Sequence, residues 1–158
     1  MKKIPVLLGL AALMAAALAA QSQSAPPPHK ILNASDMTWT EPTVLPAGAV
    51  VTVLSGDMSQ PGLFVARIKA PNGYKVPAHW HPLDEQLTVL SGTFHLGMGD
   101  KFDKSRTTAM RPGAFTTMPA EVRHFAWCEG ETIVQINAMG PFQITYVDPK
   151  DDPRSGKN

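Results

Sequence analysis

The sequence has a single cysteine, Cys128, among its 158 residues. One thiol excludes an internal disulfide and a metal site built from four thiolates, so a metal site would need nitrogen and oxygen ligands. The chain also has little net charge, +1 overall, and removing Lys2 and Lys3 lowers the 14 basic residues to 12 against 13 acidic ones. This balance lacks the basic excess typical of nucleic-acid or membrane-surface binding, so neither partner is expected.

The chain has one long apolar run, residues 4–20, which follows two lysines and ends in alanines. A basic start, an apolar stretch and small terminal residues are typical of a secretory signal peptide. The run is short for a bilayer span and contains Pro5, so a cleaved signal is favoured over a membrane anchor. We predict a signal peptide at 1–20, cleaved near Ala19 or Ala20. The protein is then expected to be periplasmic or secreted, with no membrane contact after cleavage.

Composition shifts divide the remaining chain into three parts. Residues 21–30 contain three consecutive prolines and are predicted to form an extended linker. Residues 31–147 have the length and apolar content of one folded domain. Residues 148–158 are charged and carry prolines and a glycine, which predicts a flexible C-terminal tail.

No convincing amphipathic helical pattern occurs between residues 31 and 147, where short β-rich runs alternate with turn residues. Strands are predicted at 49–54, 63–69, 86–90, 93–98, 115–118, 122–128, 132–138 and 142–147. Residues 90–93 and 128–131, each containing a glycine, are predicted to be the turns of two hairpins. Many short strands without helices predict an all-β, antiparallel fold, either a barrel or a two-sheet jelly roll.

Two histidines and a glutamate are the candidate ligands of a metal site. His79 and His81 are two residues apart, so on an extended strand their side chains lie on the same face. Glu85 follows after Pro82, which ends or bends that strand, and it shares a face with apolar residues of the next strand. His124, on a strand distant in sequence, is the candidate fourth ligand.

Three neutral imidazoles and one carboxylate suit Fe, Mn, Ni, Cu or Zn, and they contain too much nitrogen for Ca or Mg. Four protein ligands would leave two positions open in an octahedral shell. Such a site favours an anionic oxygen donor from a small-molecule substrate, such as a carboxylate, an enolate or a phenolate. No organic cofactor is predicted.

The spacing of these residues resembles the first motif of the cupin superfamily, Gly-x5-His-x-His-x3,4-Glu-x6-Gly. The residues that match it are Gly73, His79, His81, Glu85 and Gly92. The second motif of the superfamily, Gly-x5-Pro-x-Gly-x2-His-x3-Asn, is matched in part by Gly113, Pro119 and His124. The resemblance implies a cupin-type double-stranded β-helix with a metal inside, held by His79, His81, Glu85 and His124. It also implies pairing of two copies through their sheets, so a homodimer is expected.

Two residues depart from the second motif. Glu121 occupies the glycine position, so the turn before His124 must form without the positive-φ freedom of glycine. Cys128 occupies the asparagine position and by alternation faces the barrel interior. A small buried apolar residue is the preferred interpretation of Cys128, and a reactive thiol is the alternative.

Other polar and aromatic residues are interpreted without a catalytic role. His95 is opposite the apolar face of its strand, which favours a position at the surface or behind the metal ligands. Arg67, Arg111 and Arg123 could each bind a substrate carboxylate, but each is interpreted as a surface residue. Trp127 alternates with the face of His124, so it is expected to pack away from the substrate pocket.

Three function classes fit this site. The preferred hypothesis is an exported, metal-dependent oxidoreductase of the dioxygenase or oxidase type that acts on a small organic acid or phenolic compound, with Glu85 able to accept a proton. The second is a lyase, isomerase or decarboxylase in which the ion acts only as a Lewis acid. The third is a non-catalytic cupin that binds a metal or a small molecule.

Overall fold

Two long strands, each bent at a glycine, organise the structure. The computed structural model describes residues 29–155, and those from Leu32 onward form one compact unit. The strands in this range are β1 (Val50–Ser55), β2 (Gly62–Ala70), β3 (Lys75–Trp80), β4 (Glu85–Met98), β5 (Thr107–Met110), β6 (Phe115–Met118), β7 (His124–Gly140) and β8 (Thr145–Tyr146). Short 3₁₀ helices lie at Ala34–Asp36, Lys104–Arg106 and Pro149–Asp151.

Some of the predicted segments lie outside the described residues. These are the signal peptide at 1–20, residues 21–28 of the linker and residues 156–158 of the tail. Within residues 29–155, no helix has the length and apolar character needed to cross a membrane.

The eight strands form one continuous antiparallel sheet, and β4 and β7 divide it into two halves, here called sheet A and sheet B. Sheet A consists of β1, β2, the C-terminal half of β7, the N-terminal half of β4, and β6. Sheet B consists of β8, β3, the N-terminal half of β7, the C-terminal half of β4, and β5. Because β4 and β7 pair with each other in both sheets, they join the sheets into one barrel. The predicted all-β, antiparallel jelly-roll barrel is confirmed.

The bends in β4 and β7 occur where hairpin turns were predicted, and the hairpin prediction is wrong. Gly92 of β4 and Gly130 of β7 both have positive φ, 71° and 73°. The pairing between the strands shifts register on both sides of Ser91. A Cβ atom at Gly92 would lie 2.5 Å from the carbonyl oxygen of Glu131, so only glycine allows this close crossing. The glycines therefore turn two paired strands from one sheet into the other, and neither strand folds back on itself.

The core lies between the sheets and follows the alternation of β4 and β7. Leu87 and Val89 of β4 are buried beside Ile136 and Val134 of β7, their direct partners in sheet A. Each such side chain contributes about 1.5–3 kcal/mol when it is fully buried. The apolar interior fixes the register, because a slip of one residue would turn these side chains to the outside.

The remaining strand predictions differ from the structure in three places. The strand expected at 142–147 is reduced to Thr145–Tyr146, β5 was not predicted, and β3 was assumed only around His79 and His81, without bounds. β3 contains Pro77, which lacks an N–H group, and its pairing with β7 shifts register between Val76 and His79. A proline at such an irregularity hides the start of the strand from a pattern-based prediction.

The described part of the predicted tail contains defined hydrogen bonds. Asp148 caps the helix Pro149–Asp151, with its side chain accepting a bond from the backbone N–H of Lys150. Arg154 donates to the backbone oxygen of Ile144 at 3.0 Å. The flexibility expected for residues 148–158 stays a prediction.

Candidate metal centre

The four predicted ligands lie at the ends of strands, inside the barrel. His79 is near the end of β3, where it pairs with His124, the first residue of β7. His81 is one residue beyond the end of β3, and Glu85 is the first residue of β4. All four residues are buried, with 3–5% of the surface of each exposed. Because Glu85 belongs to sheet A and the paired histidines to sheet B, the site spans the barrel interior.

The three imidazoles converge on one point. Each offers a nitrogen, and these atoms lie within 4.8 Å of one another, close enough to share one metal ion. Glu85 Oε2 is 3.7 Å from His81 Nε2 and 3.9 Å from His124 Nε2. The structure thus brings the three predicted histidines together and places the predicted ligand Glu85 beside His81 and His124.

Backbone carbonyls fix the tautomer of each histidine. The Nδ1–H groups of His79, His81 and His124 donate to the oxygens of Pro77, Gln143 and Val122, at 2.7, 2.7 and 2.9 Å. A carbonyl oxygen only accepts, so the proton of each neutral ring is on Nδ1 and the lone pair is on Nε2. His81 Nε2 is buried and has no hydrogen-bond partner among the described residues. A buried nitrogen with a free lone pair is what a metal ligand requires, so the donor set fits a transition metal.

Burial keeps the three histidines neutral. It lowers the pKa of His79 well below its usual value, with the neighbouring imidazoles adding to the effect. It also lowers the pKa of His81 to about 4 and reduces the pKa of His124. For Glu85, burial raises the pKa to about 7. A cation between these groups would favour the carboxylate form of Glu85 and would coordinate the neutral imidazoles.

Comparison with known proteins places this site within a family. A family model described as a cupin domain matches residues 67–139, a range that contains the three histidines and Glu85. The predicted resemblance to the cupin superfamily is confirmed for residues 67–139. Comparison with curated proteins gave no match.

Several solved structures share the cupin fold. KdgF from Halomonas sp. is 17% identical with a TM-score of 0.56, over 71% of this chain and 94% of that chain. The polyketide cyclase RemF from Streptomyces resistomycificus is 19% identical with a TM-score of 0.63, over 79% and 89%. Salicylate 1,2-dioxygenase from Pseudoaminobacter salicylatoxidans is 14% identical with a TM-score of 0.54, over 66% of this chain and 30% of that chain. At these identities the similarity establishes the fold.

The cupin site faces an apolar cavity of about 100 Å³ between the sheets. Among the described residues, those that line it include no lysine, arginine or aspartate. Arg111 and Arg123 are exposed, and Arg123 pairs with Asp100 at 2.9 Å. Arg67 is half-buried outside the cavity and donates to Gln135. The surface positions predicted for Arg111 and Arg123 are confirmed, whereas Arg67 is only partly at the surface.

Cys128, His95 and Trp127 differ in their positions relative to the cavity. Cys128 borders the cavity, and burial raises the pKa of its thiol to about 11, which agrees with an unreactive buried residue. His95 lies outside the cavity, stacked on Trp127 with ring centroids 3.8 Å apart and bonded to Glu129 at 2.9 Å. Trp127 also borders the cavity, so the expectation that it packs wholly away from the pocket is wrong.

Sequence reasoning missed the residues that follow β7 and support the site. Phe142 stacks on His81, with ring centroids 4.6 Å apart. The backbone oxygen of Gln143 accepts from the same histidine. Tyr146 pairs with His79 across β8 and β3. Apart from alternating apolar residues, the sequence contains no signal that places this segment beside the ligands.

The loop before His124 is tied to the loop after His81. The N–H of Ala120 donates to Asp84 Oδ1, and the N–H of Glu121 donates to the backbone oxygen of His81, both at 2.8 Å. Glu121 has a φ of 65°, so it adopts the left-handed conformation where the superfamily motif has glycine. The backbone shape needed to aim His124 is therefore kept despite the substitution, at a conformational cost.

The strain at Glu121 predicts that Glu121→Gly stabilises the protein. Glycine adopts positive φ without the Cβ penalty, so the free energy of unfolding should rise by about 0.5–1 kcal/mol. Urea unfolding of the two proteins measures the difference. Glu121→Gln, which removes the charge but keeps the Cβ atom, should leave stability unchanged. A less stable Glu121→Gly variant would contradict the strain.

A second prediction concerns the metal-free protein as the pH falls. The unfolded chain protonates its histidines near the ordinary pKa of 6.5, while the folded protein keeps His79, His81 and His124 neutral. The unfolded state then binds more protons, so stability falls as the pH drops from 6.5 towards 4. The contribution of His81 alone approaches about 3 kcal/mol.

Glu85 acts in the opposite direction. Because burial raises its pKa from 4.5 to about 7, the folded protein holds this proton more tightly than the unfolded chain does. The resulting stabilisation is complete below pH 4.5 and is lost as the pH rises through about 7.

Urea unfolding in excess chelator at pH 7, 6 and 5 tests this expectation. The three histidines should outweigh Glu85, so the stability should decrease at each step. His81→Gln should lose less stability between pH 7 and 5 than the wild-type protein does. His95→Gln, which changes a histidine outside the cavity, should lose as much as the wild-type protein. Constant stability across this range would show that the buried imidazoles do not control folding.

Proposed function

We propose that this cupin is a metal-dependent oxidoreductase of the dioxygenase or oxidase type, acting on a small phenolic compound or organic acid. The proposal rests on the convergence of three buried imidazoles beside Glu85, in a mainly apolar cavity. His79, His81, His124 and Glu85 would hold a divalent ion. A redox-capable ion, such as Fe, Mn, Ni or Cu, would supply electron exchange and coordination positions for a substrate and dioxygen.

The residues of the cavity have separate roles in this proposal. The apolar walls exclude water, which strengthens the interaction between the substrate oxygen and the charged centre. Among residues 29–155, Glu85 carries the only carboxylate that borders the cavity, so it is the acceptor for a substrate hydroxyl proton. The hydrogen bonds from the histidines to backbone carbonyls keep the imidazoles in position throughout the reaction.

A second candidate is a redox-independent lyase, isomerase or decarboxylase. It uses the same four ligands and the same proton acceptor, Glu85, but needs the ion only to stabilise an enolate. The similarity in fold to a protein named as a polyketide cyclase, alongside one named as a dioxygenase, supports keeping both reaction classes. The identity of the ion separates them, because zinc supports only the second.

Oxygen uptake by reconstituted protein tests the proposal. Metal-free protein is loaded in turn with Fe(II), Mn(II), Ni(II), Cu(II) and Zn(II), and incubated with catechols, flavonols, diketones and oxalate. We expect oxygen consumption with at least one redox-capable ion and none with zinc. Anaerobic turnover with zinc would select the second candidate, and binding without turnover under every condition would indicate a non-catalytic cupin.

Matched histidine variants show whether the activity belongs to this site. His81→Gln removes one converging nitrogen and should weaken metal binding by roughly 100-fold or more, with a parallel loss of activity. His95→Gln should retain both, because His95 lies outside the cavity. Metal content by elemental analysis and oxygen uptake are measured on the same samples. Equal metal content in the two variants would place the metal elsewhere.

Export and dimer formation also belong to the proposal. Lys2 and Lys3, the apolar run and the alanines near position 20 support secretion before the protein functions. Mass spectrometry of the protein from its native compartment should give a chain that begins close to Gln21. A mature chain that retains residues 1–20 would contradict cleavage. The homodimer stays a prediction, which the molar mass in solution would test.

A further inference from the structure

A loop outside the family match forms one wall of the cavity. This loop, residues 41–49 and called here the strap, connects Thr40 to β1. Thr40 and Val51 exchange two backbone hydrogen bonds, at 2.9 and 2.8 Å, which close the strap at its base. The matched family range begins at residue 67, so the cupin model does not account for the strap.

The strap presents apolar side chains to the site. Pro42, Val44 and Leu45 line the same cavity as the three histidines and are half-buried. Thr43, between them, is exposed. The strap is irregular and belongs to neither sheet, so side chains from the barrel must hold it in place.

Two tyrosines anchor the strap to the barrel. The hydroxyl of Tyr146 donates to the backbone oxygen of Val44 at 2.8 Å, and that of Tyr74 donates to Pro46 at 2.7 Å. Both rings are buried, and burial raises the pKa of each phenol, so the hydroxyls keep their protons and continue to donate. Tyr146 also lies beside the metal site, with its ring centroid 5.9 Å from that of His79. One side chain therefore fixes the distance between the strap and a predicted metal ligand.

The chemistry of the cavity favours one class of ligand. Apart from the four predicted ligands, its lining is mainly apolar, and within the described residues it includes no lysine or arginine. A second carboxylate on the ligand would lose its hydration without gaining a cationic partner, which is costly. An aromatic ring would instead bury its surface against the walls, Val44 and Leu45 among them.

We infer that the strap, positioned by Tyr74 and Tyr146, selects a flat, largely apolar phenol or enol that presents its oxygens to the histidines, and disfavours small dicarboxylates. This inference rests on the proposed function, because it needs a metal in the site. Val44 and Leu45 are its specificity-determining residues. Tyr146 is a positioning residue, since it acts through the backbone of the strap.

Binding to the zinc-loaded protein tests the inference without turnover. Isothermal titration compares 4-nitrocatechol, a flat ring with adjacent oxygens, with malonate, a dicarboxylate chelator without a ring. We expect the wild-type protein to bind 4-nitrocatechol at least roughly tenfold more tightly, because only this probe buries apolar surface. Tighter binding of malonate, or no binding of 4-nitrocatechol to protein that contains zinc, would overturn the inference and leave the metal site intact. Protein that takes up no zinc would overturn both proposals.

Substitutions in the strap test whether its side chains cause the preference for 4-nitrocatechol over malonate. Leu45→Ala should weaken 4-nitrocatechol binding by about fivefold to tenfold and change malonate binding by less than about twofold. Thr43→Ala, in the same loop but exposed, should change neither affinity. Equal effects of Leu45→Ala and Thr43→Ala would overturn the assignment of the strap as the specificity element.

A separate variant, measured for ligand binding and zinc content, tests the role of Tyr146. Tyr146→Phe keeps the ring beside His79 and removes only the hydrogen bond to the strap. We expect weaker binding of 4-nitrocatechol, by roughly threefold to tenfold, with unchanged zinc content and unchanged malonate binding. A loss of zinc, or an equal loss for both probes, would show that Tyr146 supports the fold generally and does not position the strap.

Discussion

The hydrogen bonds between three imidazole Nδ1 atoms and backbone carbonyl oxygens are the constraint on which the site depends. Each bond fixes the proton of a histidine on Nδ1 and aims the Nε2 lone pair into the barrel. Two of the accepting carbonyls precede their own histidine by two residues, so the local chain sets these rings. The third carbonyl belongs to Gln143, which follows β7 in the sequence, so it links His81 to the C-terminal segment. The donor set is prepared by the backbone, before any ion binds.

The barrel makes this arrangement possible through two shared strands. β4 and β7 pair along nearly their whole lengths, and the bends at Gly92 and Gly130 carry the pair from one sheet to the other. Glu85 and His124 begin these two strands in different sheets, yet their side chains meet inside the barrel. The polar groups are surrounded by apolar residues, and this burial explains the neutral imidazoles and the raised pKa of Glu85.

Much of the fold and of the site could be predicted from patterns within short windows. His79 and His81 two residues apart, followed by Glu85, were sufficient to propose a shared site, and the all-β class followed from turn residues between short strands. The hairpins at Gly92 and Gly130 were wrong because a glycine with positive φ produces either a turn or a bend. Only the partner strand decides between these, and pairing between β4 and β7 joins residues far apart in sequence. Pro77 likewise hid the start of β3, since the effect of a proline depends on whether a neighbouring strand requires the N–H group that it lacks.

The sequence by itself determined the ligand types, their spacing and the alternation that directs them inward, because these are properties of neighbouring residues on one strand. The tertiary structure decided how His124 meets the other ligands, that Tyr146 joins the strap to His79, and that the described residues lining the cavity include no lysine or arginine. These features depend on contacts between segments up to about a hundred residues apart, as in the bond from Tyr146 to Val44. A sequence pattern records which side chains are present on a strand, and the packing of the two sheets decides which of them meet.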